Sequence, residues 1–164
     1  LPMPYALLAL VLVILDQVVK YLVLTHIPLG GYVPFLPHVV CLTYVQNTGA
    51  AFSMFSQHTW ILAFISLVMS VVLAVALWKN FFTHPLGKVT LSLLLAGAVG
   101  NLIDRAMRGF VVDMFQLLFM NFAVFNVADI CVVVGGIAAA AYYLLLADKL
   151  EHKEAPHGTA DADR

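Results

Sequence analysis

The chain has 164 residues, 63% of them hydrophobic and 10% charged, with a mean hydropathy of +0.98. A soluble domain is about half apolar and about a quarter charged, so this is the composition of an integral membrane protein. A formal net charge of −1 leaves no basic patch for nucleic acid, and Cys41 and Cys131, far apart and alone, supply neither a disulfide framework nor zinc-ligand spacing.

Tyr5 to Thr25 is apolar and long enough to span, since about 20 residues cross a bilayer core. It is too long, and lacks the basic approach, of a secretory signal peptide. The chain opens Leu1-Pro2 without an initiator Met, so residues are expected ahead of it. Asp16, Gln17 and Lys20 interrupt the run. Asp16 and Lys20 are four apart, on one helical face, where they can pair. That face should point into protein rather than lipid.

Residues 26–58 do not read as a span. Ile27 to Pro37 is rich in Pro and Gly, Val39 to Val45 reads as a short strand, Gln46 to Gly49 as a turn, and Ala50 to Phe55 as a second strand. Trp60 to Trp78 is an apolar span with Trp at each end. Lys79 to Lys88 is a polar loop, and a third span follows at about 89–107. In that span Gly97, Gly100, Asn101 and Asp104 recur at helical spacing on one face, where small residues let another helix approach closely. Phe110 to Phe115 is strand-like, residues 127–147 form a fourth span, and the charged stretch 151–164 is a tail.

The expected architecture is an all-α membrane protein of four transmembrane helices with a small β element, a single unit over residues 1–150. Four spans put both termini on one side. Lys79, Lys88, Lys149, Lys153 and Arg164 fall on that side, whereas residues 26–58 hold no Lys or Arg. The positive-inside rule then makes the termini cytoplasmic and the loops 26–58 and 108–126 extracytoplasmic, with Arg105 and Arg108 as exceptions. On this topology Asn101, Asp104, Asp113, Asn126 and Asp129 gather at the outer leaflet.

Two carboxylates sharing a site, here Asp113 and Asp129, cannot both ionise easily, so the pair retains a proton at working pH. Such a pair can activate a water and protonate a scissile carbonyl. No Gly-x-Ser-x-Gly, His-Glu-x-x-His or Cys–His arrangement competes. A structural reading stands beside each residue. Asn126 can cap a helix that Asp129 enters. Asn47 can be a turn residue. Asn101 can bond between helices, Asp104 and Arg105 can be an interfacial charge pair with Arg108, and Asp16–Lys20 can fix helix packing.

The stretches Asn47-Thr-Gly-Ala-Ala-Phe52, Gly97-Ala-Val-Gly-Asn-Leu-Ile-Asp-Arg105, Gly109-Phe-Val-Val-Asp113 and Phe125-Asn-Val-Ala-Asp129, with Asp16-x-x-x-Lys20 ahead of them, resemble the motifs of the bacterial lipoprotein signal peptidases (signal peptidase II). The resemblance implies that Asp113 and Asp129 are the catalytic dyad. It implies that Asn47, Asn101, Arg105 and Asn126 line or support the site, and that Asp16 and Lys20 are the polar positions of the first helix. It further implies an extracytoplasmic β-cradle, a bacterial inner-membrane location, and no metal or organic cofactor. The implied substrate is a prolipoprotein carrying diacylglycerol on the Cys before which it is cut, and the implied inhibitor is globomycin. A monomer is expected. From the residues alone, a small proton-coupled transporter or channel is the alternative, and an assembly subunit with polar contacts between helices is a third reading.

Overall fold

The computed structural model describes residues 3–49 and 59–144. In chain order the elements are α1 (Met3–His26), β1 (Tyr32–Leu36), β2 (Val40–Asn47), α2 (Thr59–Trp78), α3 (Pro85–Arg108), β3 (Val111–Leu117) and α4 (Val127–Tyr142). The expected strand at Ala50 to Phe55 and the tail 151–164 lie outside the described residues.

Helix α3 is central and packs against α1, α2 and α4. Its small residues explain this. A Cβ on Gly97 would lie 2.6 Å from the Ala128 carbonyl oxygen, and one on Gly100 would lie 2.6 Å from Asp16 Oδ2. Hydrogen at these positions lets α4 and α1 approach closely. The helix begins at Pro85, within the stretch 79–88 expected to be a loop. The His84 side chain accepts from the Leu86 N–H at 3.2 Å, and Pro at the first helical position loses no needed donor. The helix ends at Gly109, whose φ of 78° suits glycine and whose N–H donates to the Arg105 carbonyl.

The three strands form an antiparallel sheet in the order β1-β2-β3. Strand β1 arises where Pro and Gly suggested only a breaker-rich connection. It is an edge strand containing Pro34, with its register shifting between Pro34 and Leu36, and such an edge tolerates a missing donor. Strand β2 runs on to Asn47, so Gln46 and Asn47 belong to the ladder rather than to a turn alone. The sheet closes over the end of α1 through Val23, Ile27, Tyr44, Val112 and Met114. Val45 pairs with Asp113 and Asn47 with Val111, which sets Asn47 beside Asp113.

Large apolar side chains remain exposed on the outward faces, among them Leu10 and Ile14 on α1, Phe64 and Val72 on α2, and Val133 and Ile137 on α4. Helices α1, α2 and α3 are long and apolar enough to cross a membrane. The described helix α4 has 16 residues, about 24 Å at about 1.5 Å per residue.

Candidate active site

The site rests on a charge cluster buried between α1 and α3. Lys20 Nζ lies 2.8 Å from Asp16 Oδ2 and 3.1 Å from Asp104 Oδ2, and all three side chains are sealed from solvent. An unpaired charge there would be costly, and the cluster leaves none. Asp16 Oδ1 accepts the backbone N–H of Ala128 at 2.9 Å. Asp104 Oδ2 accepts that of Val112 at 2.9 Å, and its Oδ1 meets Arg108 Nη1 at 2.7 Å. Gln17 Nε2 bridges both acids and the Gly100 carbonyl. One cluster therefore ties α1 and α3 to the start of α4 and to β3. Asp104 pairs with Lys20 and Arg108, not with Arg105.

Lys20 also donates to Asn101 Oδ1 at 3.1 Å. An ammonium has no acceptor, so this contact settles which end of the Asn101 amide faces it. The Asn101 Nδ2 then donates to Asp129 Oδ1 at 2.8 Å. Asn126 caps α4, with its Oδ1 accepting the Asp129 N–H at 2.9 Å and its own N–H donating to Asp129 Oδ2 at 3.1 Å. This is a capping box with an acid at the third position. The remaining amide end of Asn126 donates to Asp113 Oδ1 at 2.7 Å and to Asn101 Oδ1 at 3.1 Å. Asn126 therefore serves as cap and as strut at once.

Asp113 sits on β3, 1% exposed. Its second oxygen accepts Asn47 Nδ2 at 3.0 Å, while Asn47 Oδ1 takes the Gly49 N–H at 2.9 Å. Burial pushes the Asp113 carboxyl up to about 7, and the nearby Asp129 carboxylate adds to the rise. The amides of Asn47 and Asn126, and the Lys20 ammonium, act in the opposite sense.

A cavity of about 470 Å³ opens over these groups. Asn47, Asn101, Arg105, Asp113 and Asp129 line its polar end, and Ile130, Val133 and Val134 of α4 continue its wall. Arg105 Nη1 donates to Ser66 Oγ and Nη2 to the Gly49 carbonyl, each at 3.3 Å, and its buried Nε has no hydrogen-bond partner among the described residues. Two acids, one of them raised toward neutrality and both facing one cavity with amide and guanidinium donors, can share a proton and polarise a carbonyl.

A family model described as signal peptidase (SPase) II matches residues 8–145. The chain belongs to the signal peptidase II family. It is 44% identical over 155 residues to the lipoprotein signal peptidase of Enterococcus faecalis, covering 94% of this chain and 95% of that one. It is 46% identical over 136 residues to that of Streptococcus pneumoniae, covering 79% and 85%. Two solved structures, each described as a bacterial membrane enzyme, superpose with TM-scores of 0.82 and 0.80 at 29% and 32% identity, covering 100% and 90% of this chain and 96% of each of theirs.

Within this signal peptidase II chain, five of the eight residues singled out from the sequence line the cavity, namely Asn47, Asn101, Arg105, Asp113 and Asp129. Asn126 lies between the two acids, and Asp16 and Lys20 lie beneath them as a buried support. Sequence reasoning gave no role to Gln17 or Ser66. Each is a polar residue inside an apolar run, and that was the available signal. The apolar wall of α4 carried no signal, because its residues look like any lipid-facing helix.

Proposed function

We propose that this chain is an aspartic-type membrane endopeptidase that removes the signal peptide from diacylglyceryl-modified prolipoproteins, cutting before the lipidated Cys. The observation that carries the aspartic mechanism is the joint hold of Asn126 on Asp113 and Asp129 at one cavity. Asp113, with its carboxyl raised to about 7, keeps the shared proton and donates it to the scissile carbonyl oxygen. Asp129 takes a proton from a water, which adds directly to the carbonyl carbon. The proton on Asp129 then passes to the leaving amine as the C–N bond breaks, and Asp113 regains one from a hydroxyl of the tetrahedral diol as that hydroxyl becomes the carbonyl of the new carboxylic acid.

Arg105 and the amides of Asn47 and Asn101 serve the substrate backbone, which has few other partners near the membrane. Lys20 and Asp16 position rather than react. Lys20 orients Asn101, and through it Asp129. A transporter is disfavoured because the acids collect where β3 meets the start of α4, at one end of the helices.

Residues 1–150 act as one catalytic unit with four spans, and 151–164 as a cytoplasmic tail. The active site faces outward from the bacterial inner membrane. The two basic residues that break the positive-inside pattern are both engaged, Arg108 by Asp104 and Arg105 by Ser66 and Gly49. The chain works as a monomer among lipids, without cofactor, and is blocked by globomycin. The test is release of the signal peptide from a diacylglyceryl-modified prolipoprotein by the purified protein in lipid. Absence of release, or release insensitive to globomycin, would overturn the assignment.

A further inference from the structure

Among the described residues, α2 lends none to the wall of the active-site cavity. It reaches the site through polar bonds instead. The face of α2 packed on α3 carries Ser66, Ser70, Leu73 and Leu77, at i, i+4, i+7 and i+11. The two serines behave differently. Ser70 Oγ donates to the Ser66 carbonyl at 2.7 Å, the back-bond usual for a serine inside a helix. Ser66 Oγ accepts from Arg105 Nη1 of α3 at 3.3 Å. Arg105 Nη2 donates to the Gly49 carbonyl at 3.3 Å. Thr59 Oγ1, at the start of α2, donates to the neighbouring Thr48 carbonyl at 2.7 Å. The Gly49 N–H in turn donates to Asn47 Oδ1, and Asn47 Nδ2 to Asp113. Arg105 is thus pinned between α2 and the stretch of chain that supports Asp113.

We propose that Ser66 is a positioning residue, fixing the guanidinium of Arg105 at the cavity wall where it serves the substrate backbone. The proposal rests on the peptidase reading above. A guanidinium is planar and carries its N–H donors in fixed directions. A single acceptor leaves that plane free to turn about the bond. Two acceptors on different elements, the Ser66 hydroxyl and the Gly49 carbonyl, set the plane and with it the direction of the remaining donors. Arg105 also lies close enough to Asp129 and Asp113 to feel both charges. A guanidinium forks readily onto a carboxylate, and the Ser66 anchor holds this one to α2 instead. Arg105 turned onto Asp129 would offer fewer donors to a peptide and would occupy the carboxylate that takes a proton from water. Only the Ser66 hydroxyl oxygen is needed for this role, and that requirement supplies the test.

Ser66→Thr and Ser66→Val differ from each other only in a hydroxyl against a methyl, so any cost of the added bulk is common to both. Each is purified in lipid and given a diacylglyceryl-modified prolipoprotein. Ser66→Val should cleave with kcat/KM about tenfold below Ser66→Thr, the lower end of what a hydrogen bond to a charged group is worth. The two should unfold at the same temperature. Combined with Arg105→Lys, whose ammonium lacks the planar fork, they should cleave equally. Ser70→Ala removes a hydroxyl whose bond stays within its own helix, and should leave kcat/KM unchanged. Equal kcat/KM for Ser66→Thr and Ser66→Val would overturn the inference. So would a gap between them that persists alongside Arg105→Lys, or a loss in Ser70→Ala as large as that in Ser66→Val. If wild type releases no signal peptide at all, the peptidase reading itself falls, and this inference with it.

Discussion

Asn126 donates its side-chain amide to Asp113 at 2.7 Å and its backbone N–H to Asp129 at 3.1 Å. One residue therefore sets the position of both acids, one on a strand and one in the first turn of a helix. If the acids do the chemistry, Asp113→Asn and Asp129→Asn should each lower prolipoprotein cleavage by about 10²–10⁴-fold, the range for general acid–base groups. Both variants should stay folded. Cleavage within about tenfold of wild type by either would remove that residue from the mechanism.

The raised carboxyl of Asp113 makes stability and activity depend on pH. Between its ordinary value of 3.8 and about 7, the folded chain holds a proton on Asp113 that the unfolded chain has lost. The contribution of this group is therefore greatest below 3.8, falls as pH rises to about 7, and is level above that. The stability of Asp113→Asn relative to wild type should rise over the same window, read from thermal unfolding at a series of pH values. The kcat/KM of wild type should fall as pH rises through about 7, because the donor loses its proton. A stability difference that stays flat across the window would contradict the protonated state assigned to Asp113.

Lys20 holds two buried acids, so its removal should be severe. Lys20→Met leaves Asp16 and Asp104 facing each other without their shared cation, which should cost about 3–5 kcal/mol of stability. Adding Asp16→Asn should restore part of that loss. Residual activity should remain depressed, because Asn101 has lost the ammonium that orients its amide toward Asp129. Denaturation and turnover measured on the single and double variants separate the two effects.

Asn47 has two duties that substitutions can divide. Asn47→Asp keeps the acceptor for the Gly49 N–H but places a third carboxylate against Asp113, where an amide donated before. Asn47→Ala removes both bonds. Turnover should drop in both variants, with Asn47→Ala less stable than wild type by about 2 kcal/mol, the usual net worth of two hydrogen bonds. Unchanged turnover in Asn47→Asp would reduce Asn47 to a turn residue.

Gly97→Ala tests the close approach of α3 and α4. The added methyl meets a backbone carbonyl that cannot move alone, so a loss of about 1–3 kcal/mol is expected, as for other overpacked contacts. Gly136→Ala, where the added carbon meets no packed neighbour within 4 Å among the described residues, is the control and should unfold no more easily than wild type.

Much of this protein is determined by the sequence itself. Long apolar runs demand lipid or burial whatever their partners, so α1, α2 and α3 are visible without a structure. Acids in such runs are expensive, so Asp16, Asp113 and Asp129 stand out, and the i,i+4 spacing of Asp16 and Lys20 announces their salt bridge. What the sequence left open were partners distant in the chain. Asp104 has two arginines close by in sequence, yet the fold gives it Arg108 and Lys20 and turns Arg105 toward Ser66 and Gly49. Strand β1 was hidden because Pro34 opposes a strand locally, and pairing with β2 along one edge overcomes that. Only the tertiary structure brought Asn47, Asn101 and Asn126 onto the two carboxylates. Those hydrogen bonds join residues 13 to 66 positions apart where they cross between elements, and their geometry depends on helix packing that no local spacing records.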